Sequence, residues 1–294
     1  MRSLRADGSP ASRIARAARG QARHARTRRR RRRGRGRGRA IPVVAGFNVA
    51  PVKSLGLMHP AEVMLAAVGV RENRRFFLIQ ENGRLFRGAY HGPLVRIRPE
   101  YDSVAERLTL RFPDGSSREA DAMGGEDAVG DFWGRAVAGR VLAPALCEAL
   151  SEYVGKPLRI LRAGEDGIGA DSLHPVSILG DGSVAELAGR LGVAELDPRR
   201  FRMLVEVSGV EPRAEDSWEG SLLRLGEALV RVGGPVGRCA NITYDPQTGI
   251  RDHDALRAIH EDRGKRDGEV CFGVYADVVE PGRVRVGDLV TPVA

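Results

Sequence analysis

The chain has 294 residues, long enough for one large or two modest domains, and its formal charge of +9 sits at one end. Residues 1–40 hold sixteen arginines, no lysine and a single acid, Asp7, for a charge of +15, so residues 41–294 carry −6. That asymmetry excludes a basic, nucleic-acid-binding body, and three widely spaced cysteines without a C-x-x-C pair exclude a disulfide framework or zinc ribbon.

In chain order, residues 1–40 are low-complexity and end in RTRRRRRRGRGRGR, where like charges repel and little apolar surface offsets the entropy of ordering. Disorder is the expectation. Three readings of the segment stand: a translated upstream region, a solvated tail without a role, or an arm that binds polyanions electrostatically. It lacks the apolar stretch of a signal peptide, and no run of about 18 apolar residues occurs anywhere, so a cytoplasmic protein without a membrane span is expected.

From Ile41 onward short strand-like runs alternate with Gly, Pro and Asp. Phe76 to Ile79 reads as a buried strand. Leu108, Leu110 and Phe112 alternate with polar neighbours before Pro113-Asp114-Gly115, a half-buried strand entering a hairpin turn. Pro144 opens a helix whose face carries Leu146, Cys147, Leu150 and Val154, with Gly155 as its C-terminal stop. Gly164 to Gly169 suggests a boundary between two β-rich parts. Ser183-Val184-Ala185-Glu186 reads as a capping box opening a second helix. Leu222–Leu225 and Ala228–Val232 flank a turn as a second hairpin, a third helix is expected from about Asp252, and Val284 and Val286 alternate near the end. The fold class expected is α+β, rich in β-barrel, with few helices.

Nucleotide-binding glycine signatures, a G-x-S-x-G elbow and H-E-x-x-H are all absent, which removes support for Rossmann, P-loop, serine hydrolase and zinc hydrolase readings. Cys147 on its helix face and Cys271 in an apolar run read as core thiols. Cys239 follows Gly233-Gly234-Pro235-Val236-Gly237-Arg238 and reads as a loop cysteine. The adjacent Arg238 is a positive neighbour of the kind that favours thiolate, the form that acts as nucleophile or metal ligand; an inert loop thiol is the alternative. Lys53 is one of three lysines and sits in Pro51-Val52-Lys53-Ser54, either facing an anion or as an exposed turn residue. Arg74-Arg75-Phe76 and Arg200-Phe201-Arg202 put guanidinium groups at strand starts, where they suit phosphate.

Together these pieces resemble the bacterial-type MOSC family. The resemblance rests on Arg200-Phe201-Arg202, Glu215 to Trp218, Arg238-Cys239, Thr243-Tyr244-Asp245-Pro246-Gln247-Thr248-Gly249, Phe272-Gly273 and Pro281 to Asp288. In the N-terminal half it rests on Pro51 to Ser54 and Arg75-Phe76. It implies a MOSC N-terminal β-barrel domain over 41–165 and a MOSC domain over 166–294. It also implies a molybdenum cofactor (molybdopterin) held between them, with Cys239 as metal ligand and catalytic residue. Lys53, Arg75, Arg202 and Arg238 are implied as cofactor-binding. The implied function is an oxidoreductase acting on N-hydroxylated or N-oxide small molecules, with electrons from a separate flavin or iron–sulfur protein. The alternative is a sulfur carrier whose Cys239 persulfide comes from a PLP-dependent cysteine desulfurase. At three positions the chain departs from the family pattern: Arg74 stands for Asp, Met203-Leu204 for Pro-Asn, and Ala89-Tyr90 lacks an expected arginine.

Overall fold

The computed structural model describes residues 41–164 and 174–293; the Arg-rich segment 1–40 and most of the expected boundary at 164–169 lie outside them. Residues 39–294 form one compact unit. Its strands and helices run β1 (Val43–Phe47), β2 (Glu62–Leu65), β3 (Phe76–Ile79), β4 (Arg98–Asp102), β5 (Arg107–Arg111), β6 (Ser117–Asp121), β7 (Asp127–Phe132), β8 (Arg135–Val141), α1 (Pro144–Val154), β9 (Arg159–Ala163), β10 (Val176–Gly180), α2 (Asp181–Leu191), β11 (Val205–Ser208), β12 (Leu222–Leu225), β13 (Ala228–Gly237), α3 (Ala255–Arg263), β14 (Cys271–Glu280), β15 (Gly282–Arg285) and β16 (Val290–Val293). Short 3-10 turns join several of them. The α+β, barrel-rich class expected from the sequence is the observed one.

Seven strands form the main sheet in the order β1-β11-β10-β14-β13-β12-β16. Its two edges nearly meet. Val43 bridges Leu289 beside β16, Val44 N donates to Asp288 O at 2.8 Å and Val290 N to Pro42 O at 2.9 Å, so the sheet approaches a closed barrel. The one parallel pairing of this sheet, β10 with β11, spans the α2 crossover that parallel neighbours require. Alternating residues of the barrel face inward, as with the buried Val205 and Val207, which flank a half-buried Glu206.

Of the other strands, β2 and β15 pair as a two-stranded sheet, and the rest build two sheets, β3-β9-β8-β7 and β4-β5-β6, around a separate core with α1 over it. Here the strand at Phe76–Ile79 is buried at all four residues because it lies between layers. The hairpin at Pro113–Gly115 forms as expected, with Arg111 paired to Ser117.

Residues Val44, Phe47, Val49, Val63, Leu65 and Val70 precede the expected boundary, yet they pack in the same core as β10 to β16. β1 pairs with β11 and β2 with β15. β1 and β2 therefore belong to the core of the C-terminal barrel.

Three local expectations are corrected. Ser183 does not cap α2, which starts at Asp181; Ser183 is buried and its Oγ accepts from Arg213 N at 2.8 Å, while Glu186 pairs with Arg213 at 3.0 Å. Asp181, two residues earlier, receives the amides of Gly209 and Val210. The third helix starts at Ala255, where Asp254 accepts from Arg257 N as N-cap. The Gly233–Gly237 stretch is strand, the end of β13, with register shifts around Pro235 that absorb the missing amide.

Candidate functional site

Cys239 emerges where β13 ends. It is exposed, has extended backbone (φ −123°, ψ 178°), and opens a 3-10 turn at Ala240–Thr243. The preceding Arg238 is tied down by its neighbours. Its Nε donates to Phe272 O at 2.9 Å, Nη1 to Phe201 O at 2.9 Å and Nη2 to Phe272 O at 2.6 Å, with the Met203 sulfur in contact. Arg238 thereby clamps β14 to the turn at Pro198–Phe201 and fixes where Cys239 leaves the sheet. Met203, at a position where the family pattern has proline, packs on that clamp.

Arg202 follows the Pro198–Phe201 turn in the left-handed region, φ +52°. Its Nη2 is buried without a hydrogen-bond partner among the described residues. Burial, and then the charge of Arg74, push its guanidinium down to about 9, while the Cys239 sulfur favours the charged form. Burial also lowers Arg238 to about 10, with Tyr275 and Cys239 favouring the cation and Arg74 opposing it. Arg74, Arg202, Arg238 and Cys239 thus share one electrostatic neighbourhood.

The other expected residues lie elsewhere in the fold. Arg75 is 5% exposed and its Nη1 donates to Gly164 O at 2.5 Å. Burial, then Arg162, lower its pKa, and Tyr101 and Glu106 complete its surroundings. It is tied to the end of β9. Arg74, one residue earlier and also left-handed at φ +53°, instead bears on the charges of Arg202 and Arg238. The sequence marked Arg74 both as a guanidinium group at a strand start and as a departure from the family pattern, without assigning it to the site. No sequence pattern announced its direction, because it lies in a turn with left-handed backbone ahead of β3. Lys53 holds its Nζ 5.4 Å from the Phe132 ring centroid and its amide donates to Phe76 O.

A narrow cleft beside Arg202 is lined by Ser54, Gly88, Gly92, Asn241 and Tyr244. Ser54 is a third non-glycine in left-handed backbone, φ +81°. Such strain persists only where surrounding structure enforces it, and it clusters at ligand sites. Two walls of the cleft interlock. A Cβ on Gly92 would sit 2.0 Å from Gly249 O, and Tyr244 OH donates to Ala89 O at 3.1 Å. The Asp245–Gly249 motif makes this fit: Asp245 Oδ1 accepts from Gln247 N, Thr248 N and Thr248 Oγ1, closing the turn that meets Gly92. Arg200, 3% exposed, holds the same wall through two bonds to Asp252 at 3.0 and 2.8 Å and one to Ile242 O.

A cavity of about 840 Å³ lies along α1 beside Cys147 and contains none of the expected site residues. Cys147 is buried, its thiol pushed up by burial. Cys271, half-buried in β14, is likewise raised by burial and then by Glu269. Among the described residues no three His, Cys, Asp or Glu side chains gather as a metal set. A metal at Cys239 has to bring further ligands with it.

Two family descriptions match the chain: "MOSC N-terminal beta barrel domain" over residues 41–157 and "MOSC domain" over residues 166–291. The chain is 27% identical over 265 residues to the molybdenum cofactor sulfurase of Danio rerio, covering 77% of this chain and 31% of that protein. It is 24% identical over 292 residues to mitochondrial amidoxime-reducing component 1 of Xenopus laevis, covering 84% of this chain and 81% of that protein. The chain therefore spans about a third of the sulfurase and about four fifths of the amidoxime-reducing component. Among solved structures, the YUAD protein from Bacillus subtilis aligns over 85% of this chain and 93% of its own, at 14% identity and a TM-score of 0.38.

Proposed function

This chain belongs to the MOSC family, and on that premise we propose that it binds a molybdenum cofactor at Cys239 and reduces N-hydroxylated or N-oxide small molecules. The observation that carries the reading is the pairing of an exposed Cys239 with the buried, unpartnered Nη2 of Arg202. A buried cationic donor without an acceptor is costly, and an anionic oxygen of a bound cofactor relieves it. Three guanidinium groups beside one thiol suit a ligand that carries both negative charge and a thiophilic metal.

The bound cofactor would supply a metal whose dithiolene sulfurs accompany the cysteine and which exchanges electrons with the substrate. The chain supplies the rest. Cys239 presents its sulfur from the end of β13. Arg238 anchors that point through backbone carbonyls. Arg202 hydrogen-bonds the anion, and Arg74 adds positive charge. Reducing an N-hydroxy group to the amine consumes two electrons and two protons and releases water, so a separate flavin or iron–sulfur donor is part of the proposal. The amidoxime-reducing relatives support the reaction class.

The test is metal and pterin content of protein made in a host that synthesises the cofactor, beside reduction of an N-hydroxy substrate with an artificial donor. Wild type should retain molybdenum and turn over, and Cys239→Ser should not. Metal-free, pterin-free protein from such a host would overturn the reading.

A second reading draws on the same exposed thiol and on the sulfurase relatives: Cys239 accepts a sulfane sulfur from a desulfurase persulfide, forming Cys–S–SH as the donor thiol is released. Cyanide-releasable sulfur on Cys239 after incubation with a PLP-dependent desulfurase and cysteine is the expected sign; its absence removes this reading.

A further inference from the structure

A groove of about 730 Å³ opens beside the Cys239 site and shares Arg202 with it. Its basic lining comprises His59, Arg96, Arg98, Arg111, Arg199 and Arg202, and no acidic side chain lines it. This is a concentrated positive field in a body whose net charge is −6.

The strand pattern produces it. Ile97 is fully buried, so Arg96 and Arg98 on either side both turn outward. Gly56 N donates to Ile97 O at 2.8 Å, and a Cβ there would meet that oxygen at 2.7 Å, which brings residues 56–57 against this edge. Arg98 of β4 stands directly opposite Arg111 of β5. Like charges directly opposite in an antiparallel pair are destabilising. Glu100 takes Arg111 in two bonds, at 2.7 and 3.1 Å, and Asp197 takes Arg199. Among the described residues Arg96 and Arg98 have no carboxylate partner, and Arg202 keeps its buried Nη2 unpartnered. Arg96 and Arg98 are thus left uncompensated in the groove, while Leu57, Val95 and Phe112 supply apolar surface. The volume is that of a small-molecule site.

We propose that this groove binds an organic phosphate of nucleotide size, its phosphate held by Arg96 and Arg98 and its apolar body by Leu57, Val95 and Phe112. Guanidinium forks match phosphate oxygens in pairs, and a mixed apolar and cationic lining matches a molecule with a flat body and an anionic end. The binding stands on the groove alone. Its role, to select anionic substrates for the Cys239 centre, rests on the redox function proposed above.

The experiment is calorimetric titration of the full chain at low salt with ADP, adenosine and inorganic phosphate. ADP should bind more tightly than adenosine, and Arg96→Ala with Arg98→Ala should weaken ADP by about tenfold or more. Arg84→Ala with Arg118→Ala, which removes the same charge from exposed positions outside the groove, should leave ADP binding unchanged. An equal loss in that control would reduce the effect to diffuse attraction, including attraction to residues 1–40, and overturn the proposal. So would adenosine binding as well as ADP, or an unchanged groove variant. Cys239→Ser should bind ADP like wild type. ADP binding that persists in a protein unable to reduce N-hydroxy compounds would leave the groove standing and remove the redox reading alone.

Discussion

The three cysteines differ by burial more than by sequence neighbours. Cys239 is exposed at the end of β13, whereas Cys147 is buried with its sulfur against Leu142 O and Ile160 N. An alkylating agent on the native protein should therefore modify Cys239 first and Cys147 only after unfolding; mass mapping of labelled peptides reads the order, and early labelling of Cys147 would contradict it. Turnover should be lost in Cys239→Ser, while Cys147→Ser costs stability without touching the site. Arg202 gives a second test. Its pKa is about 9 in the folded chain against an ordinary 12.5, so between those values the unfolded chain binds more protons. The stability of the ligand-free protein should rise with pH across that window, and the penalty is fully present below about pH 9. Arg202→Met removes the unpartnered cation. It should stabilise the ligand-free protein at neutral pH by about 1–3 kcal/mol, flatten that part of the pH dependence and weaken cofactor retention. Denaturant unfolding at several pH values measures the first two, and a destabilised Arg202→Met would show that the guanidinium has a structural partner.

Between elements, the contact of Gly92 with the Asp245–Gly249 turn decides whether the cleft has two walls. Gly249 has φ +68°, and a Cβ on it would lie 2.3 Å from Gly92 O; a Cβ on Gly92 collides with Gly249 O in return. Both obstacles are backbone, which yields little. Gly92→Ala is expected to cost about 1–3 kcal/mol and to lower the melting temperature by several degrees, with a larger fractional loss of cofactor than of fold. Thermal melts beside molybdenum content separate the two effects; an unaltered melt would mean that the turn moves aside. The sequence motif around Asp245 was legible as a family mark. Its task, a turn locked by Asp245 and seated on Gly92, came only from the paired positions.

At the scale of the whole molecule, β1 is part of the barrel. Val44 and Phe47 are 0% and 2% exposed, and β1 pairs with β11. Deleting residues 1–40 should leave the melting temperature unchanged, since 39–294 is compact by itself. Deleting residues 1–48 should prevent folding, because it removes an edge strand that nearly closes the sheet and its buried side chains. Residues 166–294 made alone should fail likewise, lacking β1 and β2. Circular dichroism and size-exclusion of the three fragments provide the check, and a folded 166–294 fragment would show that the barrel closes without β1 and β2.

The sequence by itself determined what depends on neighbours along the chain: the strand at Phe76–Ile79, the hairpin before Ser117, the α1 face with its Gly155 stop, and a body whose charge opposes that of its first 40 residues. It also singled out Cys239, since Gly and Pro leave a cysteine there without a helical or alternating pattern to bury it. Only the tertiary structure decided which arginines meet that cysteine. Arg74 and Arg75 are adjacent in sequence, yet the charge of Arg74 bears on Arg202 and Arg238 while Arg75 donates to Gly164 O. Ser183 looked like a cap until Arg213, thirty residues on, took its hydroxyl. Arg74 sits in left-handed backbone ahead of β3, so no strand period sets its direction, and the arginines it acts on lie more than a hundred positions away.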